Sequence, residues 1–146
     1  GKRVTDSTLG RLDIEQALLS SPYHRWLGLE LLGSGPDETT ICCAWREEMV
    51  SNPHLESTHG GILAALVDLT GLFTLLAAGG AVTATADLRV DFHRPARPGV
   101  LLARGRPLKI GSRISTAEVY VYQEDGELLV ASGRGAYLGA SSQAAP

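Results

Sequence analysis

Residues 57–80 read STHGGILAALVDLTGLFTLLAAGG, and residues 81–93 continue AVTATADLRVDFH. Charged residues make up 20% of the chain, so the 30 residues from Ser57 to Ala86 should hold about six of them. They hold one, Asp68. Thr58 or His59 stands where a helix N-cap is expected, and Gly79 and Gly80 stop the apolar run. About 20 helical residues would span roughly 30 Å. The run is apolar nearly all round, so the helix must be wrapped by other elements rather than laid on a surface. A transmembrane reading of residues 60–82 is set aside. Asp68 lies near the middle, five glycines interrupt the run, no basic flank follows, and the neighbouring strands need a helix to cover them.

Outward from this helix the pattern changes period. Thr83, Thr85, Asp87, Arg89, Asp91 and His93 alternate with Ala84, Ala86, Leu88, Val90 and Phe92, an eleven-residue strand with one polar and one apolar face. Residues 94–99 form a turn. Residues 100–110 form the next strand, bulged or at an edge because of Gly105 and Pro107. Residues 114–122 and 127–138 form a hairpin about Glu124, Asp125 and Gly126. On the N-terminal side, residues 13–20 read as a short amphipathic helix with Asp13 as N-cap, ended by Ser21 and Pro22. Residues 27–32 and 38–46 read as a hairpin. A polar loop covers residues 47–58. The order αββαββββ implies an α+β fold, with one long helix against an antiparallel sheet.

The 146 residues suit one domain, placed at 1–138, with 139–146 as a disordered small-residue tail. Thirteen basic against sixteen acidic residues give a net charge of −3, which argues against a nucleic-acid partner. Cys42 and Cys43 are adjacent and point to opposite faces of a strand, so they form no disulfide with each other. This fits a reducing, cytoplasmic setting. The opening GKRVTDSTLG carries basic residues with no apolar run behind them, and no signal peptide is read there. No His, Cys and Asp cluster has metal-ligand spacing, and no glycine-rich loop ends in Lys followed by Ser or Thr, so neither a metal nor a phosphate-loop cofactor is expected.

Chemistry concentrates on the helix. A carboxylate among apolar neighbours works as a base or nucleophile, or else is held by a backbone group or the Thr70 hydroxyl, or faces solvent. Small neighbours, Ala64, Ala65 and Gly71, would let another backbone or a ligand come close. Gly60 and Gly61 stand where helix N–H groups lack partners, a site suited to a developing oxyanion or simply to a tight turn. His59 is a ligand contact or a cap. Gly60 and Asp68 are eight residues apart, about 12 Å of rise. Both would have to lie within roughly 3–3.5 Å of one reacting centre, so one helix cannot supply both. Two antiparallel copies can, which requires a symmetric dimer with composite sites.

The combination of Asn52, His59, Gly60, Gly61 and Asp68 resembles the hotdog-fold acyl-CoA thioesterases of the phenylacetate-pathway (PaaI-like) type. The resemblance continues in residues 87–96, where a strand ends in Arg94 and Pro95, in residues 109–113, and in the last hairpin with Asp125 and Gly126. It implies the hotdog fold, a long central helix wrapped by a curved antiparallel sheet, in a homodimer with a shared sheet or a homotetramer. It implies hydrolysis of an acyl-CoA to a carboxylic acid and free CoA, with no cofactor beyond the CoA of the substrate. Carried over, Asp68 is base or nucleophile, the Gly60 N–H of the other protomer polarises the carbonyl, and Asn52 and His59 position thioester and loop. Thr85 orients the attacking water, and Gly61, Lys109, Ser112 and Arg113 are substrate-binding positions. The loop at residues 52–58 departs from the family pattern, being one residue longer and lacking a glycine before His59, so His54 is the alternative to Asn52. Leu72, Phe73 and Leu76 are candidates for acyl lining.

Two other readings stand beside this one. A hotdog dehydratase or hydratase would pair an acid with a His, and no such pair is evident among His24, His54 and His93. A non-catalytic acyl-CoA-binding module would not need an acid beside the thioester.

Overall fold

The computed structural model of the chain describes residues 10–140. It begins with a helix α1 (Arg11–Leu19) whose Ile14 and Leu18, one turn apart, are buried. Asp13 is not its N-cap. Gly10 holds that position without a side-chain bond, and Asp13 lies in the first turn, where its charge complements the helix dipole. Ser21 and Pro22 start a second helix rather than ending the first. In α2 (Pro22–Leu27) the Ser21 side chain accepts from the His24 N–H, proline sits in the first turn, and Gly28 closes the helix at φ 68°.

The hairpin that follows is shorter than its apolar pattern suggests: β1 (Leu29–Ser34) and β2 (Thr39–Cys43). Its first strand starts later because α2 takes Leu27. A single 3₁₀ turn (Glu47–Met49) leads into a small ribbon, β3 (Val50–Asn52) with β4 (Ser57–Thr58). The long helix α3 (Gly60–Ala77) then runs 18 residues. Four strands complete the chain: β5 (Val82–Phe92), β6 (Leu101–Lys109), β7 (Ile114–Gln123) and β8 (Leu128–Gly139). Gly139 is thus the end of a strand, not the start of the expected tail, and the Ala140 N–H donates to Ala81 O at 2.7 Å. Residues 141–146 lie outside the described residues.

The large sheet has six strands in the order β1-β2-β6-β7-β8-β5, and every neighbouring pair is antiparallel. The α3 helix lies across it and touches β2, β5, β6, β7 and β8. Its length and composition would let it cross a membrane; here it is the helix the sheet wraps, and Leu66, Val67, Thr70, Thr74 and Leu75 are fully buried. Strand glycines make the close packing possible. A Cβ on Gly105 would fall 2.0 Å from Thr74 Oγ1, and one on Gly133 would fall 2.9 Å from Val67 Cγ1.

β6 is an interior strand, so the expected edge position is wrong and the expected bulge is right. Pairing with β2 ends at Gly105, which leaves Pro107 beyond the last β2 partner, and the register with β7 shifts between Pro107 and Lys109. The sheet edges are β1 and β5.

β5 also carries a bulge. Its register with β8 shifts between Thr85 and Asp87, so Ala86 is an extra residue. The strict alternation of residues 83–93 therefore breaks. Thr85 pairs with Tyr137, and Leu88, Val90 and Phe92 pair with Gly135, Gly133 and Ala131, all on the helix side. Thr85 does not share a face with Asp87, Arg89 and Asp91. The bulge turns its hydroxyl toward α3.

Candidate active site

Asp68 projects from the middle of α3 at the flank next to β5, half-buried. Thr85 meets it there: the Thr85 hydroxyl donates to Asp68 Oδ1 at 2.6 Å. The alternative Thr70 partner is absent. Thr70 is fully buried on the sheet side, and its hydroxyl has no partner among the described residues. The space beside Gly71 takes neither a ligand nor another backbone. Tyr137 from β8 fills it and donates its hydroxyl to Asp68 O at 2.7 Å.

The helix N-terminus is a second centre. His59 is the N-cap, and its Nδ1 accepts from the Gly61 N–H at 2.9 Å. His59 is thus a cap in this chain, and Gly61 has its donor committed. The Gly60 N–H, in contrast, has no acceptor among the described residues. Phe92 lies over Gly60, with its ring 3.3 Å from the point a Cβ would occupy. An open recess of about 400 Å³ adjoins it, lined by Gly60, Leu63, Phe92, His93 and Arg94 among others. The backbone around this end is tied down by His59 N–H to Met49 O at 2.7 Å, Thr58 N–H to Ala96 O at 2.8 Å, and Trp45 Nε1–H to Thr58 Oγ1 at 2.9 Å.

Asn52 belongs to the N-terminal end of α3, on the ribbon strand that pairs with Ser57. Its side-chain oxygen accepts from the His54 N–H at 2.9 Å, and its carbonyl accepts from Leu55 and Glu56. In this loop Glu56 takes the left-handed backbone at φ 52°, a conformation that favours glycine. His54 is exposed on the same turn.

Lys109, Ser112 and Arg113 are exposed around the β6–β7 turn. Ser115, Tyr137 and Thr85 form one row across β7, β8 and β5. Arg113 lies two residues beyond that row, about 7 Å of strand. These three residues share the sheet end with Asp68, away from Gly60. Leu72 and Leu76, one and two turns beyond Asp68, are partly exposed, whereas Phe73 turns into the core, edge-on to His24 with centroids 5.9 Å apart. His24 Nδ1 donates to Leu18 O at 2.7 Å, and His93 Nε2 bonds Ser132 Oγ at 2.8 Å. Among the described residues no three His, Cys, Asp or Glu side chains cluster to hold a metal ion.

The structure thus joins Asp68 with Thr85, and His59 with the Gly60 end of the helix, while the Asn52 side chain is turned to the His54 N–H on the preceding loop. It leaves Asp68 and Gly60 eight helical residues apart. Sequence reasoning missed Tyr137, whose signal was weak: a tyrosine on an apolar strand, with Gly135 in the same strand and Gly71 on the helix.

A sequence profile described as the thioesterase superfamily matches residues 55–130. The chain is 44% identical to a solved protein from the thioesterase superfamily, with a TM-score of 0.79 over 87% of this chain and 96% of that one. It is 30% identical to a mutant form of the phenylacetic acid degradation protein PaaI from Thermus thermophilus, with a TM-score of 0.70 over 82% of this chain and 99% of that one. It is 28% identical to the medium/long-chain acyl-CoA thioesterase YigI of Salmonella typhimurium, over 85% of this chain and 89% of that protein.

Proposed function

From membership of the thioesterase superfamily, to which this chain belongs, we propose that it hydrolyses acyl-CoA thioesters at a site shared by two protomers. The observation that carries the proposal is the 2.6 Å bond from Thr85 to Asp68 Oδ1. It orients the carboxylate and leaves Oδ2 to take a proton. Water gives its proton to Asp68, and its oxygen attacks the thioester carbon. The carbonyl oxygen becomes an oxyanion, held by the uncommitted Gly60 N–H of the partner subunit at the positive end of its helix. The intermediate collapses, the C–S bond breaks, and the CoA sulfur leaves and takes the proton from Asp68, yielding acid and thiol and restoring the carboxylate. His59 caps the helix beside the Gly60 donor, and Asn52 orders the loop that leads to it.

Two features support a homodimer. Gly60 and Asp68 of one helix are about 12 Å apart along its axis. The α3 flank carrying Ala64, Ala65, Asp68, Leu72 and Leu76 is only partly covered, beside the eleven-residue edge strand β5. Lys109, Ser112 and Arg113 are read as meeting the anionic nucleotide of CoA. The acyl group is proposed to be of medium or greater length. The activity of the Salmonella relative and the apolar surface of Leu72 and Leu76 support this. The two free thiols accord with a cytoplasmic enzyme.

The test is thiol release over short, long and aromatic acyl-CoAs, with Asp68→Asn as control. Release by the wild type and a roughly 10²-fold lower kcat in Asp68→Asn are expected. Acyl-CoA binding with no thiol release would overturn the reading in favour of a binding module.

A further inference from the structure

One cross-strand pair grips Asp68 from two directions. Thr85 and Tyr137 face each other in the β5–β8 register. Thr85 holds the carboxylate at 2.6 Å, and Tyr137 Oη donates to the main-chain carbonyl of the same residue at 2.7 Å. That carbonyl belongs to the middle of a helix, where it already faces the N–H four residues on. It uses its second lone pair for the phenol.

The fold makes room for this contact at a price in side chains. Tyr137 is fully buried. A Cβ on Gly71 or on Gly135 would fall 2.2 Å from its hydroxyl oxygen. Gly71 lies on the helix and Gly135 on the strand, so both surfaces are hollowed for one ring. A residue that merely filled the core would be satisfied by a phenylalanine. The polar tip finds one acceptor, on the residue that bears the carboxylate.

We propose that Tyr137 is a positioning residue for the hydrolysis: it pins the main chain of Asp68 so that the carboxylate stays at Thr85 with its second oxygen turned outward. The inference rests on Asp68 as the catalytic base. Burial, reinforced by the Asp68 carboxylate, pushes the Tyr137 phenol above its usual range, so it remains a donor at neutral pH. Without it the helix turn keeps its own backbone bonds but loses its fixed distance from β8, and with it from Thr85 on the paired strand β5. A misplacement of about 1 Å at a reacting group lowers rates by up to roughly 10²-fold.

The test is Tyr137→Phe, which keeps the ring and removes the hydroxyl, measured alone and combined with Asp68→Asn. The expected result is kcat lower by roughly tenfold with KM within about twofold. In the Asp68→Asn background, Tyr137→Phe should slow the reaction no further, because the residue acts through that carboxylate. Tyr137→Met, also without a hydroxyl and with a flexible filler, should show the same loss. Wild-type kcat in Tyr137→Phe, or an equal loss in both backgrounds, overturns the positioning role while leaving Asp68 as base. Wild-type activity in Asp68→Asn instead overturns the reading of the site itself.

Discussion

Thr85 donates to Asp68 at 2.6 Å because an extra residue, Ala86, turns the end of β5 toward the helix. A hydroxyl bonded to a carboxylate is a charge-assisted contact, stronger than a neutral pair. In the proposed mechanism it fixes the carboxylate rotamer and does not itself react. Thr85→Val removes the donor and keeps the branched shape, so kcat should fall about tenfold with KM little changed. Thr85→Ser retains the hydroxyl and should keep most of the activity. Steady-state kinetics of the two variants provide the check. Equal losses in both would assign the effect to packing.

Cys43 supplies a pH prediction. Its thiol is fully buried and bonds Leu27 O at 3.3 Å. Burial, with a smaller push from Cys42 and an opposing pull from Arg46, lifts its pKa to about 11. Between the ordinary thiol value and 11 the unfolded chain gives up a proton that the folded chain keeps. Its stabilising share is therefore complete at neutral pH and is lost as pH rises toward 11. Urea unfolding at increasing alkaline pH should show falling stability, with a shallower fall in Cys43→Ala. At neutral pH an alkylating reagent should modify half-buried Cys42 first and reach Cys43 only on unfolding.

Much of this was legible from residues 57–93. The nearly uncharged run with a capping His59 gave α3 to within a residue, because long amphipathic or apolar periods dominate local choices. The β5 span was equally plain, yet the face of Thr85 was not. A bulge is set by how one strand meets its partner, and alternation along a single strand does not reveal it. The α2 helix was hidden by a different ambiguity: Ser21 followed by Pro22 ends one helix and starts another with the same residues. Asp68 stood out as the single charge. Tyr137 did not, because its role depends on two glycines 64 positions apart meeting across the helix–sheet interface.

Those glycines can be tested directly. Gly135→Ala places a methyl 2.2 Å from Tyr137 Oη and 2.5 Å from Cζ, and both the ring and the strand backbone are buried. Nothing there yields without displacing Tyr137. Overpacking of this kind typically costs about 1–3 kcal/mol. Thermal unfolding of Gly135→Ala should show a loss of several degrees, and Gly71→Ala should behave alike. Gly33, with no atom within 4 Å of its added Cβ, is the control and should tolerate alanine.

The Gly60 N–H can be removed without dismantling its helix. Gly60 is the first helical residue, a position where proline is welcome, and His59 before it already has φ −58° and ψ 132°, the extended backbone that a following proline demands. Gly60→Pro therefore deletes one donor, while Gly60→Ala keeps it and meets the same Phe92 ring at 3.3 Å. The proline variant should lose roughly 10²–10³ in kcat and the alanine variant far less. In the proposed shared site the donor and Asp68 come from different protomers, and Gly60→Pro and Asp68→Asn should each be nearly inactive alone. A hybrid dimer of the two carries one site with both defects and one site with neither. Mixing the two variants after reversible dissociation should restore activity, up to about a quarter of the wild-type value when half of the dimers are hybrids. No recovery in a mixture shown to contain hybrids would overturn the shared site, and since the helix rise keeps Gly60 and Asp68 of one protomer apart, it would remove Gly60 from the chemistry.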